Sequence, residues 1–267
     1  MTPESPRRNH LPFGCAMIIL CIAPALLSIG CITPSVTGKT KSAKESPAQF
    51  HYTMATGLIY EKKAVPALKE LGIGLQKDPN HALSHYLTGF LYMGRKNFSE
   101  SVVHLKRALE LDPTLLEARN TLAASYMGLR RWQDALDTLL PLVQEPLNPT
   151  PWLAHNNIGW SYFKLGHHIK SVQHLEMAIF HKKKFCLGYY NLGLVLKARG
   201  RLEHARLRLE QSRKLCPHHA KTLLELGDVY EALSRNSDAQ SVYRRCRKIA
   251  EGTLLGERCK TREGSLQ

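Results

Sequence analysis

The chain repeats itself, and that self-similarity limits its fold more than any single motif does. Ala82 to Leu115 reads ALSHYLTGFLYMGRKNFSESVVHLKRALELDPTL, with Gly89 and Tyr92 early, Ser101 and Leu105 later, and Ala108 and Pro113 at the close. A slide of 34 residues brings up Leu122, Tyr126, Trp132, Ala135 and Leu139. A further 36 brings up Ile158, Gly159, Tyr162, Gly166, Leu175 and Ala178. Two more slides of 34 give Leu192, Gly193, Gly200, Ala205, Leu209 and Pro217, and then Leu226, Gly227, Tyr230, Ala239 and Tyr243. Backwards, Met54, Ala55, Ala67, Leu71 and Pro79 make a weaker first copy, so units begin near 48, 82, 116, 152, 186 and 220.

A period of this length, with small and large residues at fixed places, resembles the tetratricopeptide (TPR) repeat, two antiparallel helices per unit. Counting from the start of each unit, Gly or Ala at position 8 and a small residue at position 20 let the two helices approach. Large residues at positions such as 11 and 24 fill the remaining space. Pro at position 32 cannot continue a helix and ends the second one. One hairpin cannot bury its own apolar stripe, so the units must stack. The expected fold is therefore all-α, a right-handed superhelical solenoid of about six repeats: 48–81, 82–115, 116–151, 152–185, 186–219 and 220–251. Helices are expected at 49–61 and 65–77, 83–95 and 99–110, 117–129 and 133–144, 152–165 and 169–181, 187–199 and 203–214, 221–233 and 237–249. The single spacing anomaly holds three prolines, Pro146, Pro149 and Pro151, at the third-to-fourth joint. Residues 252–267 are expected to form a capping segment or a frayed tail.

The N-terminus reads differently. Arg7 and Arg8 precede an uncharged apolar run from Leu11 to Ile29. A basic start followed by such a run describes an export signal over residues 1–30. An uncleaved membrane anchor is the alternative, because the run approaches spanning length. Gly30-Cys31, followed at once by a Ser/Thr/Lys/Gly linker, resembles the lipobox of bacterial lipoproteins, with Ser28 where leucine is usual. That resemblance implies that Cys31 becomes the acylated N-terminal residue. Ile32 after it, in place of aspartate, implies the outer membrane by enterobacterial sorting. Several acyl chains are needed for lasting attachment, since one binds only marginally. Residues 31–47 then read as the lipidated cysteine and a tether of roughly 20–25 Å as a coil, or about 55 Å extended.

The formal charge of +15 is uneven: 19 Lys/Arg against 9 Asp/Glu lie from Lys182 onward. A basic surface suits an acidic protein, anionic lipid or nucleic acid, but a solvated face of basic helices is the simpler account, and no nucleic acid is expected. No phosphate loop, GxSxG, HExxH or paired-carboxylate pattern is present, so neither enzyme activity nor a cofactor or small-molecule substrate is expected. Thirteen histidines invite a metal. His81 with His85, and the group His167, His168, His174 and His181, do not give three or four convergent ligands, and packing or exposure accounts for them. No metal site is assigned. Beyond the signal and Cys31 remain Cys186, Cys216, Cys246 and Cys259. In an oxidising compartment 186 and 216 can staple one hairpin and 246 and 259 can clip the tail, with reduced thiols as the alternative.

Proteins of this repeat type work through their inner surface. Positions 2, 5, 6, 9 and 12 of the first helices supply Tyr52, Tyr86, Phe90, Asn120, Asn156, Asn157, Trp160, Phe163, Tyr190 and Asn191. Aromatics beside amides suit an extended or helical peptide, rings holding side chains and amides holding backbone. Packing of Trp160 and Phe163 between repeats is the competing account. Ala124 and Leu187 stand where a carboxylate-clamp repeat wants polar or basic groups, which disfavours that mode.

From Cys31 to about Ala250 the pattern resembles the type IV pilus pilotins, TPR lipoproteins of pilus biogenesis. The resemblance rests on the lipobox cysteine, six repeats with little else, and the joint EPLNPTPWLAHNNIGWSYFKLG. It implies a protein partner, the secretin subunit, brought to the outer membrane and multimerised there, with the lipid as the membrane contact. A lipoprotein scaffold for cell-wall or outer-membrane assembly enzymes, or an inner-membrane-anchored adaptor, would use the same architecture.

Overall fold

A computed structural model describes residues 46–266; the expected signal, Cys31 and all but the end of the tether lie outside the described residues. Thirteen α-helices and one 3-10 turn follow one another, with no strand among the described residues. They run as hairpins: α1 (Pro47–Tyr60) with α2 (Ala64–Lys77), α3 (Ala82–Gly94) with α4 (Phe98–Leu111), and α5 (Leu116–Gly128) with α6 (Trp132–Leu139). The next are α7 (Pro151–Lys164) with α8 (His168–His181), α9 (Cys186–Ala198) with α10 (Leu202–Leu215), and α11 (Ala220–Ala232) with α12 (Asn236–Ile249). Helix α13 (Leu254–Gly264) closes the end. Each first helix from α3 on also packs against the second helix of the preceding unit and against the first helices beside it.

Position 8 against position 24 sets the spacing inside a hairpin. A Cβ on Gly89 would lie 2.6 Å from Leu105, and one on Gly159 or Gly193 would lie 2.7 Å from Leu175 or Leu209. At Gly227 it would run into the ring of Tyr243. At these four places the facing side chain lies too close to the backbone for a Cβ, so glycine is required there. In the first and third hairpins the pairs are Ala55 with Leu71 and Ala123 with Leu139, all fully buried.

Position 15, in the hairpin turn, has positive φ in all six repeats: Lys62, Lys96, Arg130 and Ser234 at 58–63°, Gly166 at 81° and Gly200 at 72°. Only two repeats use glycine. A side chain there costs roughly 1–2 kcal/mol, partly offset by the entropy that glycine adds to the unfolded chain. Lys96→Gly and Arg130→Gly are therefore expected to raise stability by about 0.5–1 kcal/mol each. Urea unfolding should show higher midpoints at unchanged slope, and lower midpoints would contradict the account.

The proline joint departs from expectation. A second helix was expected to 144, but α6 ends at Leu139 and a 3-10 turn covers Pro141–Gln144. Pro141 has no N–H for an α-helical bond and its ring clashes with the preceding turn. Leu142 is fully buried, and buried Asn148 donates to its carbonyl at 3.3 Å while accepting from the Thr150 N–H at 2.9 Å. The tail, by contrast, is helical from Leu254 to Gly264. Thr253 caps α13 by accepting from the Gly256 N–H at 3.2 Å, and a disulfide joins Cys259 to Cys246 on α12. Buried Glu263 receives Arg244 at 3.0 Å and Arg247 at 3.1 Å. A second disulfide joins Cys186, at the start of α9, to Cys216, just past α10.

Candidate functional site

The expected binding residues lie on the first helices, α1, α3, α5, α7 and α9, and stacking sets these side by side. At the first joint Tyr52 meets His81 edge-on, with ring centroids 5.7 Å apart. Tyr86 is half-buried 6.5 Å from Phe90, which is 39% exposed. Burial, and then the charge of Glu117, push the Tyr86 phenol above its usual range, so it stays a neutral hydrogen-bonding ring. Trp160 and Phe163 lie 5.3 Å apart on α7. Lys164 lies over both, its Nζ 4.7 Å from the Trp160 ring and 5.5 Å from Phe163. Tyr190 stands edge-on to His219 at 5.1 Å, and burial, then Glu225, push its pKa up to about 12.

The amides divide into two kinds. Asn156 and Asn191 are buried, and Asn191 Nδ2 donates to Asn156 Oδ1 at 2.9 Å across the α7–α9 contact. Asn156 Nδ2 in turn donates to Asn157 Oδ1 at 3.2 Å. Two of the expected backbone-holding amides therefore lock repeat four onto repeat five, and Asn157 is the one of the three with an accessible surface. Asn120 donates to Thr150 Oγ1 at 3.3 Å, and its own buried oxygen has no partner.

Sequence reasoning missed the charged end of the same stripe. Lys197 on α9 holds Glu225 at 2.9 Å and Asp228 at 3.0 Å on α11. Burial works against the Lys197 ammonium, but those two carboxylates raise its pKa overall. Tyr243 directs its hydroxyl to Asp228 at 2.8 Å and Glu231 at 3.0 Å. The signal was available: 197, 225, 228 and 231 are positions 12, 6, 9 and 12 by the count already in use. The stripe thus runs from aromatic and amide to charged, and at the charged end Lys197 and Arg262 face three carboxylates.

The histidines form a second pattern, inside the hairpins. Positions 4 and 23 pair His51 with Glu70 at 2.8 Å, His85 with His104 at 3.0 Å, and His155 with His174 at 3.1 Å, each through Nδ1 of the first histidine. His85 Nε2 lies 3.0 Å from the Pro79 carbonyl, which can only accept. Nε2 of His85 therefore carries the proton, and His104 Nδ1–H donates to His85 Nδ1. Burial, then His174 and His181, push the His155 pKa down to about 4. Burial also lowers His104 and His174. Among the described residues no group of three or more His, Cys, Asp or Glu is arranged to hold a metal ion.

Neither a protein-family model nor a curated protein sequence matches the chain. Solved structures do. PilW, a widely conserved type IV pilus biogenesis factor, superposes with a TM-score of 0.72 at 17% identity, over 79% of this chain and 97% of that one. Pseudomonas aeruginosa pilF gives 0.68 at 15%, over 80% and 97%. YrrB, a TPR protein with an unusual peptide-binding site, gives 0.50 at 16%, over 72% and 97%. The fold is a TPR solenoid. At these identities the likeness fixes architecture alone, and architecture does not carry function with it. The aromatic stripe lies along the first helices, and the histidine pairs lie between the two helices of a repeat.

Proposed function

We propose that the chain is a non-catalytic TPR lipoprotein, anchored through acylated Cys31 at the outer membrane and facing the periplasm. Its inner stripe holds an unassembled secretin subunit and helps it multimerise into the type IV pilus pore. The reading rests first on one observation: the two pilus-biogenesis proteins are matched over 97% of their own lengths. Accessible aromatics at Tyr86, Phe90, Trp160 and Phe163 support it, since such rings anchor peptide partners. Tethering the stripe to the membrane raises the local concentration of its cargo without any further contact.

Cells without the protein should keep normal secretin monomer but lose the heat- and detergent-resistant multimer and the pili. Cys31→Ser should reproduce that loss with the stripe untouched. Normal multimers in the deletion, together with altered cell shape or wall composition, would transfer the protein to the wall-assembly scaffold reading. The stripe has its own test. Trp160→Ala with Asn157→Ala should weaken partner binding roughly thirtyfold, about 2 kcal/mol, a larger effect than the loss of stability from removing the acceptor for Asn156. A collapse in melting temperature with unchanged binding per folded molecule would make these residues core.

A further inference from the structure

Among the described residues, the first edge of the solenoid is open where every later repeat is closed. Positions 3, 7 and 10 of the first helix are buried in repeats two to six, against the unit before. At position 7, for example, Ile158 is 0% exposed, Leu192 1% and Leu122 6%. In repeat one the same three places are Phe50, 52% exposed, Met54, 48% exposed, and exposed Gly57. They form one stripe along α1 at helical spacing. Nothing on that helix discourages contact: its fourteen residues, PAQFHYTMATGLIY, include no Asp, Glu, Lys or Arg. Terminal repeats of a solenoid ordinarily turn a polar face outward, and this one does not.

The far edge is the opposite case. There α13 covers the last hairpin, Leu255 and Leu266 pack into the final core cluster, and Glu257, Arg258 and Thr261 face solvent. Stacking one molecule's first edge on another's last edge would bury those charges. Pairing of two first edges about a twofold axis buries none. With the two α1 helices antiparallel and Met54 near the axis, Phe50 of one copy faces Gly57 of the other. The position of a Gly57 Cβ has nothing within 4 Å, so the glycine leaves room for the ring. The solenoid uses the same match internally, where Leu105 and Leu175 fill the space left by Gly89 and Gly159.

We infer that the open edge is a self-association surface, and that two copies of this chain pair through α1 in a closed, twofold dimer. A surface patch that meets itself is the commonest route to a soluble oligomer, and a charged cap at the other end stops the pairing from extending into a filament. One helix against one helix covers on the order of 1,000 Å² in total, the low end of specific interfaces, so the dimer is a weak one.

The experiment uses the full chain in cells. Phe50 is replaced by the photo-crosslinking residue p-benzoylphenylalanine in one copy, and a second copy carries a different epitope tag. Ultraviolet light should give an adduct of twice the monomer mass bearing both tags. Gly57→Glu in the tagged copy should cut its yield at least tenfold. Space around Gly57 is open, so the far-ultraviolet spectrum and melting curve of that variant should match the parent. The same photo-residue at Val103, 61% exposed on α4, should give no such adduct. An adduct with a different protein, no adduct, equal yield from position 103, or a yield indifferent to Gly57→Glu would each overturn the inference.

Discussion

Breaking the Cys246–Cys259 bridge should loosen the last repeat and leave the first ones intact. The bridge closes a loop with a sequence separation of 13, and loops of that size restrict the unfolded chain by roughly 3 kcal/mol. The expected loss is local, because a solenoid's stability is close to a sum of repeat and neighbour terms. Without the bridge, α13 keeps its Thr253 cap and the Glu263 ion pairs, but at half-exposed arginines those pairs contribute little. Leu255 and Leu266 would leave the final core cluster, opening the edge of α11 and α12 to water. Cys246→Ser with Cys259→Ser should therefore speed amide exchange in residues 220–266 by about a hundredfold, and hardly change it in residues 47–128. Both sulfur-bearing residues are fully buried, so a mild reductant should act slowly, through local opening. Uniform acceleration along the chain, or none, would contradict this account. The Cys186–Cys216 bridge, separated by 30 residues, should contribute a similar amount inside repeat five, roughly 3–4 kcal/mol.

How much of this was legible beforehand depends on the length scale of the cause. Helix placement was legible because the 34-residue pattern encodes the hairpin contact directly: Gly89 against Leu105 and Gly159 against Leu175 are one contact at two addresses. The early end of α6 was also in the sequence, since Pro141 stands ten residues into the unit's second helix, but the repeat pattern was allowed to override it. Partner choice across a joint was not legible. Asn156 and Asn191 were read as groove amides from their positions, yet each faces the other at 2.9 Å, which depends on how two consecutive units stack. Serines show the same limit. Ser101 at position 20 meets Ser125 at position 10 of the next unit, at 2.7 Å. Ser161 and Ser171 occupy those positions beside Ala135 and Val195, and their buried hydroxyls find no partner. The two histidine pairs, like His51 with Glu70, are 19 residues apart, a regular spacing across each hairpin, whereas closeness in sequence singled out His81 with His85 and the group His167, His168, His174 and His181.

Those histidine pairs carry the last prediction, which concerns acid. In the pair His155–His174 the two Nδ1 atoms are 3.1 Å apart, room for one proton between them and not two. The surroundings offer no relief. His181 stacks on His155 at 5.4 Å, Tyr162 lies against His174 at 5.6 Å, and the charge that acts on His174 is the cation Lys170. Unfolded, both rings would titrate near 6.5; folded, burial and then its histidine neighbours hold His155 at about 4. The unfolded chain thus takes up protons first, so the pair's contribution is complete above about pH 6.5 and is lost as pH falls from there toward 4. His104 and His219, lowered chiefly by burial, act in the same direction. Carboxylates with lowered pKa, such as Asp134 beside Arg131, lose their contribution only lower still, below about pH 4. Discounted for partial exposure, the loss in repeat four by pH 4.5 is on the order of 2 kcal/mol. Melting temperature should fall steadily from pH 7 to 4.5, and His155→Asn with His174→Gln, an amide pair with no titrating group, should flatten that slope. A flat profile in the parent chain, or an unchanged slope in the variant, would sink the idea. Since Trp160 stands on the same helix as His155, acid that loosens the α7–α8 hairpin should also release whatever that ring holds.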